Sequence, residues 1–336
     1  LINLRTKKNQ KMKPVFKIIA AFLFLATSIQ SFSQEEKKKE RKRYENFKER
    51  TISKTYAASG NSLMIENSFG DVKVTTWDKN EISVNIHIEA SSTDKDYAEK
   101  TFNRIDVQDK QEGKEISFKT TFGNDSERGC KNCSSTMSID YDIHLPASNI
   151  LSIKNSFGDI TLPDYSGNIS LSAEYGSLTT GKISHCDKLK VGFGKADIKD
   201  INNIDAKFEY SKISIGNLAG SNKLKMDFCS YSKINLDNNI SSLDLNNSYS
   251  SIHLQPAANF SASYDVSTSY GSFINKTNSD IKRTDTPDRY GPDMDKHYEG
   301  KSGSGSAKIT IKSSFGTVMV GEGTESDMKE KRKVRS

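Results

Sequence analysis

The sequence predicts an all-β protein, a single-stranded β-solenoid (β-helix) with coils of about 17–21 residues and an N-terminal β-rich cap containing one short helix. Three observations lead to this prediction. Apolar and polar residues alternate with a period of two over most of the chain, as in half-buried strands. A six-residue motif, NSFGDV at 67–72 and NSFGDI at 155–160, recurs in looser form at nearly constant spacing. One stretch, 94–105, has the period of a helix.

The first 33 residues have the pattern of a secretory signal peptide. From Met12 to Ser33 the chain has a basic start, an apolar run and small residues near its end. The apolar run is about half of the ~20 residues that a membrane-spanning helix needs, so the mature chain is expected to have no transmembrane span. Residues 1–11 are predicted to be read-through upstream of the true start, and 34–51 a charged linker.

The charge balance argues against nucleic-acid binding. The leader holds six of the 49 Lys and Arg residues and no acidic residue, so its removal leaves 43 basic beside 43 acidic residues. Nucleic-acid binding needs an excess of positive charge, which a neutral mature chain does not have. The basic end of the chain, 329–336, is predicted to be a solvated tail, with contact to acidic lipid head groups as the alternative.

Residues 52–146 are predicted to be the N-terminal β-rich unit, closed by Pro146. The helical stretch 94–105 lies inside it, with its apolar side chains on one face. The segments that alternate as strands do are Ser62–Trp77, Glu81–Ala90, Lys114–Phe122 and Ser138–Pro146.

Residues 147–275 are predicted to form the solenoid repeats. The aromatic residue of the motif recurs after 17 to 21 residues, with Gly or Ser directly after it. Apolar residues recur four positions before it, with Asp227 as an exception, and in most copies three and five positions after it. If each period is one coil, equal positions stack ~4.8 Å apart and the aromatic side chains form a ladder. The predicted ladder residues are Phe157, Tyr175, Phe193, Tyr210, Tyr231, Tyr249 and Tyr270.

An antiparallel sandwich is the alternative fold, because strands that start every 8–12 residues suit it as well. A sandwich has no reason to reuse one motif at one period, so the repeat favours the solenoid. After the repeats, the sequence predicts a polar mobile insertion at 276–306, a final β coil at 307–321 that could close the far end, and a charged tail at 322–336.

In combination the motifs resemble the bacterial exported putative-adhesin family, a β-solenoid domain of unknown function. The resemblance covers roughly 52–320 and rests on SLMIENSFGDVKVTTWDKNEISV at 62–84, DYDIHLPASNILSIKNSFGDITL at 140–162, the aromatic-Gly motifs, and YEGKSGSGSAKITIKSSFGTV at 298–318. It implies secretion, a solenoid fold and a role in surface binding, and it brings no catalytic residues. Many motifs here carry Ser where the family usually has Gly.

The cysteines predict one disulfide. Cys130 and Cys133 lie in a loop between strands of an exported chain, so a small structural disulfide is expected. A redox-active pair at the start of a helix and a metal site are the alternatives. Cys186 and Cys229 are expected to be free thiols, with Cys229 buried.

Three lysines two positions after the predicted ladder residues could form a basic binding stripe for an acidic glycan: Lys195, Lys212 and Lys233. A solvated face is the alternative interpretation. The histidines have no metal-ligand spacing. Three of them alternate with apolar strand residues and are expected to point outward: His87, His144 and His253.

The sequence contains no nucleophile–base motif, phosphate loop, cofactor motif or metal-binding motif. We therefore expect an exported, non-enzymatic protein of the cell envelope, adhesin-like, with a binding or structural role in the periplasm or at the cell surface. Its expected partner is an envelope glycan or a surface protein. The alternative is a glycan-acting enzyme, a polysaccharide lyase or hydrolase on a β-helix scaffold, which would need clustered catalytic side chains on one face.

Overall fold

The computed structural model describes residues 42–123, 132–287 and 293–328. These residues form an all-β protein, which confirms the predicted fold class at that level. The elements up to residue 145 are β1 Asn46–Ala57, β2 Ser62–Ser68, β3 Val72–Thr76, β4 Glu81–Ser92, α1 Lys95–Asn103, β5 Ile105–Glu112, β6 Glu115–Phe122 and β7 Ser135–Leu145.

The later strands include three of 16 or 17 residues. They are β8 Ile150–Ser156, β9 Ile160–Leu162, β10 Tyr165–Glu174, β11 Ser177–Gly192, β12 Lys195–Asn202, β13 Asp205–Glu209, β14 Lys212–Asp227, β15 Ser232–Ser248, β16 Ser251–Pro256, β17 Ala262–Ser269, β18 Ser272–Lys276, β19 Asp280–Arg283, β20 Asp295–Ser302, β21 Ala307–Ser314 and β22 Thr317–Gly321.

Helix α1 lies within the stretch that the sequence predicts to be helical. Asp94 precedes it in an extended conformation, and its carboxylate accepts a hydrogen bond from the Tyr97 N–H. Such a cap satisfies one of the N–H groups that the first turn leaves without a partner. The helix buries Ala98 and Thr101.

The repeated strands pair in parallel along two ladders, and the long strands β11, β14 and β15 contribute one half to each. The first ladder runs in spatial order β6, β2, β8, β10, β11, β13, β14, β15, β21, β17. The second runs β7, β3, β9, β11, β12, β14, β15, β16, β22, β18. Parallel pairing of neighbouring strands contradicts the antiparallel sandwich.

Equal positions of the repeat pair with each other. Leu171 lies between Ile153 and Leu189 in the first ladder, and each of the three is 1% exposed. Residues of this kind form one continuous hydrophobic cluster through both ladders. Because full burial of an aliphatic side chain contributes about 1.5–3 kcal/mol, this row-by-row match is the main source of stability.

Antiparallel strands flank the ladders. At one end β5 pairs with β6, β4 pairs with β7, and β1 pairs with β4. At the other end β20 pairs with β17, and β19 pairs with β20. These strands occupy backbone N–H and C=O groups that would otherwise be open to pairing with another chain.

Two boundary predictions are wrong. The charged linker was expected to reach residue 51, but β1 begins at Asn46 because it pairs with β4 along its whole length. The insertion at 276–306 was expected to be a mobile loop, but its described part contains β19 and β20. The free edge of β17 explains this order, since β20 supplies the hydrogen-bond partners that this edge lacks.

The final coil does not close the far end. Strand β21 lies between β15 and β17, and β22 lies between β16 and β18. The last copy of the motif in the sequence is therefore the penultimate layer in space. The terminal layer is formed by β17 and β18, which come earlier in the chain.

Glycines directly after the repeated aromatic residues lie against the backbone of the next layer. A Cβ atom at Gly176 would come within 2.0 Å of the Gly158 carbonyl oxygen, and one at Gly194 within 1.8 Å of the Gly176 oxygen. No side chain fits at such distances. At these layers the glycines allow the backbones to approach to the spacing that sheet hydrogen bonds require; the layers of Tyr210, Phe228 and Tyr249 have Ser or Cys at the same position.

We expect Gly176→Ala to lower the free energy of unfolding by about 1–3 kcal/mol, because the added methyl group would lie 2.0 Å from the Gly158 carbonyl oxygen and forces the backbone to shift. Guanidinium chloride unfolding measures this change. Gly192→Ala is the matched control: its nearest atom would be the Glu174 Cγ at 3.9 Å, an ordinary contact. Equal unfolding midpoints for the two variants would contradict the close approach.

Candidate functional site: an exposed stack of aromatic rings

Nine aromatic side chains form one continuous stack at the turns that join the first ladder to the second. Neighbouring ring centroids are 4.7–5.0 Å apart and neighbouring ring planes differ by 2–11°. This is the spacing of neighbouring strands, about 4.8 Å, so the eight steps extend over roughly 38 Å. In spatial order the rings belong to Phe69, Phe157, Tyr175, Phe193, Tyr210, Phe228, Tyr249, Phe315 and Tyr270; we call this set the aromatic strip.

Every residue of the aromatic strip has a left-handed backbone conformation, with φ between +49° and +63°. This conformation costs a residue with a Cβ atom roughly 1–2 kcal/mol. Two interactions offset the cost. The backbone N–H of eight of these residues donates to a carbonyl of the adjacent layer, as Tyr175 does to Gly192 at 3.0 Å, and that of the terminal Tyr270 donates to Met294 at 3.0 Å. Each stacked pair adds about 0.5–1.5 kcal/mol.

Six of the seven ladder residues predicted from the sequence lie in the strip, and Tyr231 does not. Phe228 takes its place between Tyr210 and Tyr249. Sequence reasoning also missed Phe69 and Phe315, which belong to copies of the motif outside the regularly spaced run.

The error at Tyr231 comes from one additional residue after Phe228. Lys233 pairs with Ser214 and with His253, although it lies five residues after its ring residue and they lie four after theirs. The additional residue places a Tyr-Ser pair where the motif is expected. The missed signal is the apolar pattern before Phe228, with Leu224 and Met226 both buried. When the repeat is counted from Phe228, the residue four positions before the ring is the apolar Leu224, so Asp227 is no longer an exception to the pattern.

The aromatic strip is exposed along its length. Eight of its residues are 44–57% exposed, and Phe69 is half-buried with its ring edge-on to Phe122. Because the ring faces cover one another, the ring edges and the tyrosine hydroxyl groups are what solvent meets. Ion pairs border the strip on the side of the first ladder: Lys190 with Glu174 at 2.7 Å, Lys207 with Glu209 at 2.9 Å and Lys225 with Asp227 at 3.5 Å.

The predicted lysine stripe is interrupted. Lys195 and Lys212 are register partners on β12 and β14, and both are exposed. Lys233 is also exposed, but it pairs with Ser214, two residues further along the strand than Lys212. The shift arises because the ring residue of this layer is Phe228 and not Tyr231, so Lys233 lies five residues after its ring whereas Lys212 lies two after Tyr210. The three lysines therefore do not form one row.

His253 does not point to solvent, although His87 does. The His253 side chain is fully buried; its Nδ1 lies 2.9 Å from the Tyr231 hydroxyl and its Nε2 2.7 Å from the Gly321 carbonyl. Since the carbonyl can only accept, Nε2 carries the proton that it shares with Gly321. Burial lowers the pKa of His253. Met328 belongs to a small buried cluster against which Tyr231 packs.

The cysteines differ in state. Cys133 is disulfide-bonded, whereas its predicted partner Cys130 lies outside the described residues, so the pairing itself stays a prediction. Cys186 and Cys229 are buried free thiols. Cys229 follows Phe228 at a position where other layers have Gly or Ser. Burial raises the pKa of both thiols to about 11.

Two clusters of polar side chains resemble a metal site and a catalytic triad in composition but differ from them in charge pairing and burial. Glu49, His87 and Glu89 lie close enough to hold a cation, but Arg43 pairs with both carboxylates, at 2.6 and 3.1 Å. The second cluster is Ser267, His297 and Glu299: the Ser267 hydroxyl and the Glu299 carboxylate each lie 3.2 Å from an imidazole nitrogen. The Glu299 side chain is 61% exposed, unlike the buried acid that orients a catalytic histidine.

Within the described residues, no helix has the length and apolar character to cross a membrane. No family model and no curated protein sequence matches the chain.

Several solved structures align with most of the chain at low similarity. A "putative adhesin" from Bacteroides fragilis has 13% identity and a TM-score of 0.35, and the alignment covers 81% of this chain and 97% of that one. A "putative lipid binding protein" from Parabacteroides distasonis has 13% identity and a TM-score of 0.29, covering 83% and 98%. A "putative cell adhesion protein" from Clostridium sporogenes has 10% identity and a TM-score of 0.22, covering 82% and 100%. We draw nothing about this chain from similarities at that level.

We expect Phe228→Ala to lower the free energy of unfolding by about 1–3 kcal/mol, because it removes two stacking contacts from a half-exposed site. Hydrogen exchange should accelerate first in β14 and β15, the strands on either side of Phe228, while β1 to β7 remain protected. Tyr231→Ala is the control, and its effect should be confined to the surroundings of His253 and Met328. A larger or more widespread effect from Tyr231→Ala would reject the assignment of Phe228 to the stack.

We expect Cys186 and Cys229 to react very slowly with iodoacetamide in the folded chain at pH 8. A thiol with a pKa of about 11 is only ~0.1% thiolate at that pH, and both side chains are also shielded by packing. Mass spectrometry should find both unmodified in the native, unreduced chain and both alkylated in the denatured, unreduced chain. Rapid native labelling of either cysteine would contradict its burial.

Proposed function

We propose that this chain is an exported, non-enzymatic binding protein of the cell envelope, a β-solenoid whose aromatic strip binds the surface of a protein partner. The observation that carries the proposal is the continuous exposure of eight stacked aromatic residues.

The parallel ladders support the solenoid. Layers 17–21 residues apart in sequence pair through the same repeat positions in both ladders, and their aromatic residues stack at the interstrand distance. A chain that turns once per layer around a common core accounts for these pairings. In such an architecture each layer contacts its neighbours, and the surface repeats with the layer.

The size of the aromatic strip supports a protein partner. An aromatic side chain has roughly 150–250 Å² of surface, so eight half-exposed residues present on the order of 800 Å². Monomeric proteins rarely expose an apolar patch of that size without a function. One partner of a standard protein–protein interface buries about 800 Å². Enrichment in Tyr and Phe, with charged residues at the border, is also typical of such interfaces.

Export is supported by sequence. Residues 12–33, which lie outside the described residues, have the pattern of a signal peptide. The disulfide at Cys133 suits an oxidising compartment. The resemblance of the motifs to the exported putative-adhesin family supports the same location and an adhesin-like role at the cell surface or in the periplasm.

We expect Phe193→Asn combined with Tyr210→Asn to weaken binding to the partner at least tenfold, because the change removes the centre of the apolar patch. Asn tolerates the left-handed conformation of these positions, so the turns should persist. The partner is first identified by photo-crosslinking through a benzophenone amino acid at position 210 in the native host. It is then purified and titrated against the wild-type chain and the variant.

Ile150→Asn is the matched control, since Ile150 is 57% exposed and lies outside the strip. Unchanged affinity in the strip variant, with a partner that crosslinks at position 210, would reject the strip as the binding surface. The enzyme alternative is tested on the same preparation: release of new reducing ends or unsaturated products from acidic or neutral polysaccharides would overturn the non-enzymatic assignment.

A further inference from the structure

A cleft of about 800 Å³ opens on the outer face of the second ladder, away from the aromatic strip. Its volume falls within the range of small-molecule binding sites, ~300–1,000 Å³. The turn at 257–260 lines one side and the turn at 277–279 another, and Gly321 and Glu322 also border it.

The floor of the cleft is a row of register partners on four neighbouring strands. Asn235 on β15 pairs with Gln255 on β16, and Gly321 on β22 pairs with Lys276 on β18. Gln255 and Gly321 lie side by side, because the residues before them, Leu254 and Val320, are register partners. Gly321 contributes no side chain, so the row is open at its centre. Its φ is +110°, and a Cβ atom there would lie 2.4 Å from the Lys276 carbonyl carbon, which excludes any larger residue.

The walls are held in place by their own hydrogen bonds. In one turn the Asn275 side chain accepts from the Thr277 N–H at 2.9 Å and donates to the Ser279 carbonyl at 2.9 Å. In the other, Ala257 N–H donates to the Leu236 carbonyl at 2.9 Å. A cleft with such walls needs little ordering when a ligand binds, which favours affinity.

Four side-chain amides at the cleft are free to bind a ligand. Among the described residues, none of them has a hydrogen-bond partner: Asn217, Gln255, Asn259 and Asn278. Each amide offers donors and an acceptor side by side, which is what the neighbouring hydroxyl groups of a sugar require. Pro256 and Ala257, both partly exposed, supply apolar surface between them for the C–H faces of a sugar ring.

The charges at the cleft favour a neutral ligand. Lys276 is paired with Asp327 at 3.1 Å, and the exposed Lys233 is accompanied by the exposed Glu322. With both signs present, neither a polyanion nor a polycation gains a net electrostatic advantage.

We propose that this cleft binds a short neutral saccharide, with Gln255 and Asn259 as hydrogen-bonding residues. The site is separate from the aromatic strip and does not depend on the protein-binding role proposed for it.

Isothermal titration calorimetry of the mature chain with cellotriose, chitotriose, galactobiose and digalacturonic acid tests the proposal. At least one neutral sugar should bind with a Kd below about 1 mM, at least tenfold more tightly than digalacturonic acid. Gln255→Ala should weaken that binding at least tenfold. Ala258→Trp should abolish it, because Ala258 lines the cleft and is exposed, so a larger side chain can fill the cleft without disturbing the core.

Gln111→Ala, at an exposed position of β5, is the matched control and should bind as the wild-type chain does. The Phe193→Asn, Tyr210→Asn variant should also keep sugar binding. The sugar site and the protein-binding role of the aromatic strip are therefore tested independently. The proposal is overturned if no neutral sugar binds, if digalacturonic acid binds as tightly as the neutral sugars, or if Gln255→Ala and Ala258→Trp both leave the affinity unchanged.

Discussion

The structure depends on a hydrogen bond made by residues in an unfavourable backbone conformation. Eight of the nine aromatic residues of the strip donate their N–H to the layer beside them, and all nine have φ in the left-handed region. That bond sets the layer spacing at the turn. Because equal side chains then lie on layers ~4.8 Å apart, their rings stack on one another. Gly176 and Gly194 fit this spacing because a Cβ at either would collide with the adjacent carbonyl, whereas Ser211, Cys229 and Ser250 follow the rings of the next three layers. Local strain is thus maintained by the regularity of the whole stack.

The strands and most of the aromatic strip could be predicted from the sequence, because every layer needs the same residue types at the same positions and the sequence therefore repeats. Alternation gave the strands, and the aromatic motif gave six members of the strip. Tyr231 was misassigned because a single additional residue produced a second, nearly equivalent motif close to Phe228. The repeat period alone does not show whether Phe228 or Tyr231 belongs to the stack. The burial of Leu224 and Met226, four and two residues before Phe228, identifies Phe228 as the ring residue.

Three other features produce no repeated pattern in the sequence. The position of β21 between β15 and β17 is a matter of order in space, and chain order alone suggests a different one. The cleft is assembled from two turns, a glycine and scattered amides that come together only through strand register. His253 is buried at a position that strand alternation assigns to solvent, and it contacts Tyr231 and Gly321, which are remote in sequence. In each case the missing information concerns which segments meet, and residue periodicity does not contain it.

The late position of β21 in the chain has a consequence for biogenesis. Until residues 307–321 emerge, the layer formed by β17 and β18 has no parallel neighbour to dock on, because the strands that separate it from β15 and β16 do not yet exist. In the finished structure, the last strands of the chain therefore occupy a layer inside the stack and not its end. A chain cut before residue 307 lacks this layer, which leaves the edges of β15, β16 and β17 without the parallel partners they have in the complete structure and open to pairing with other strands.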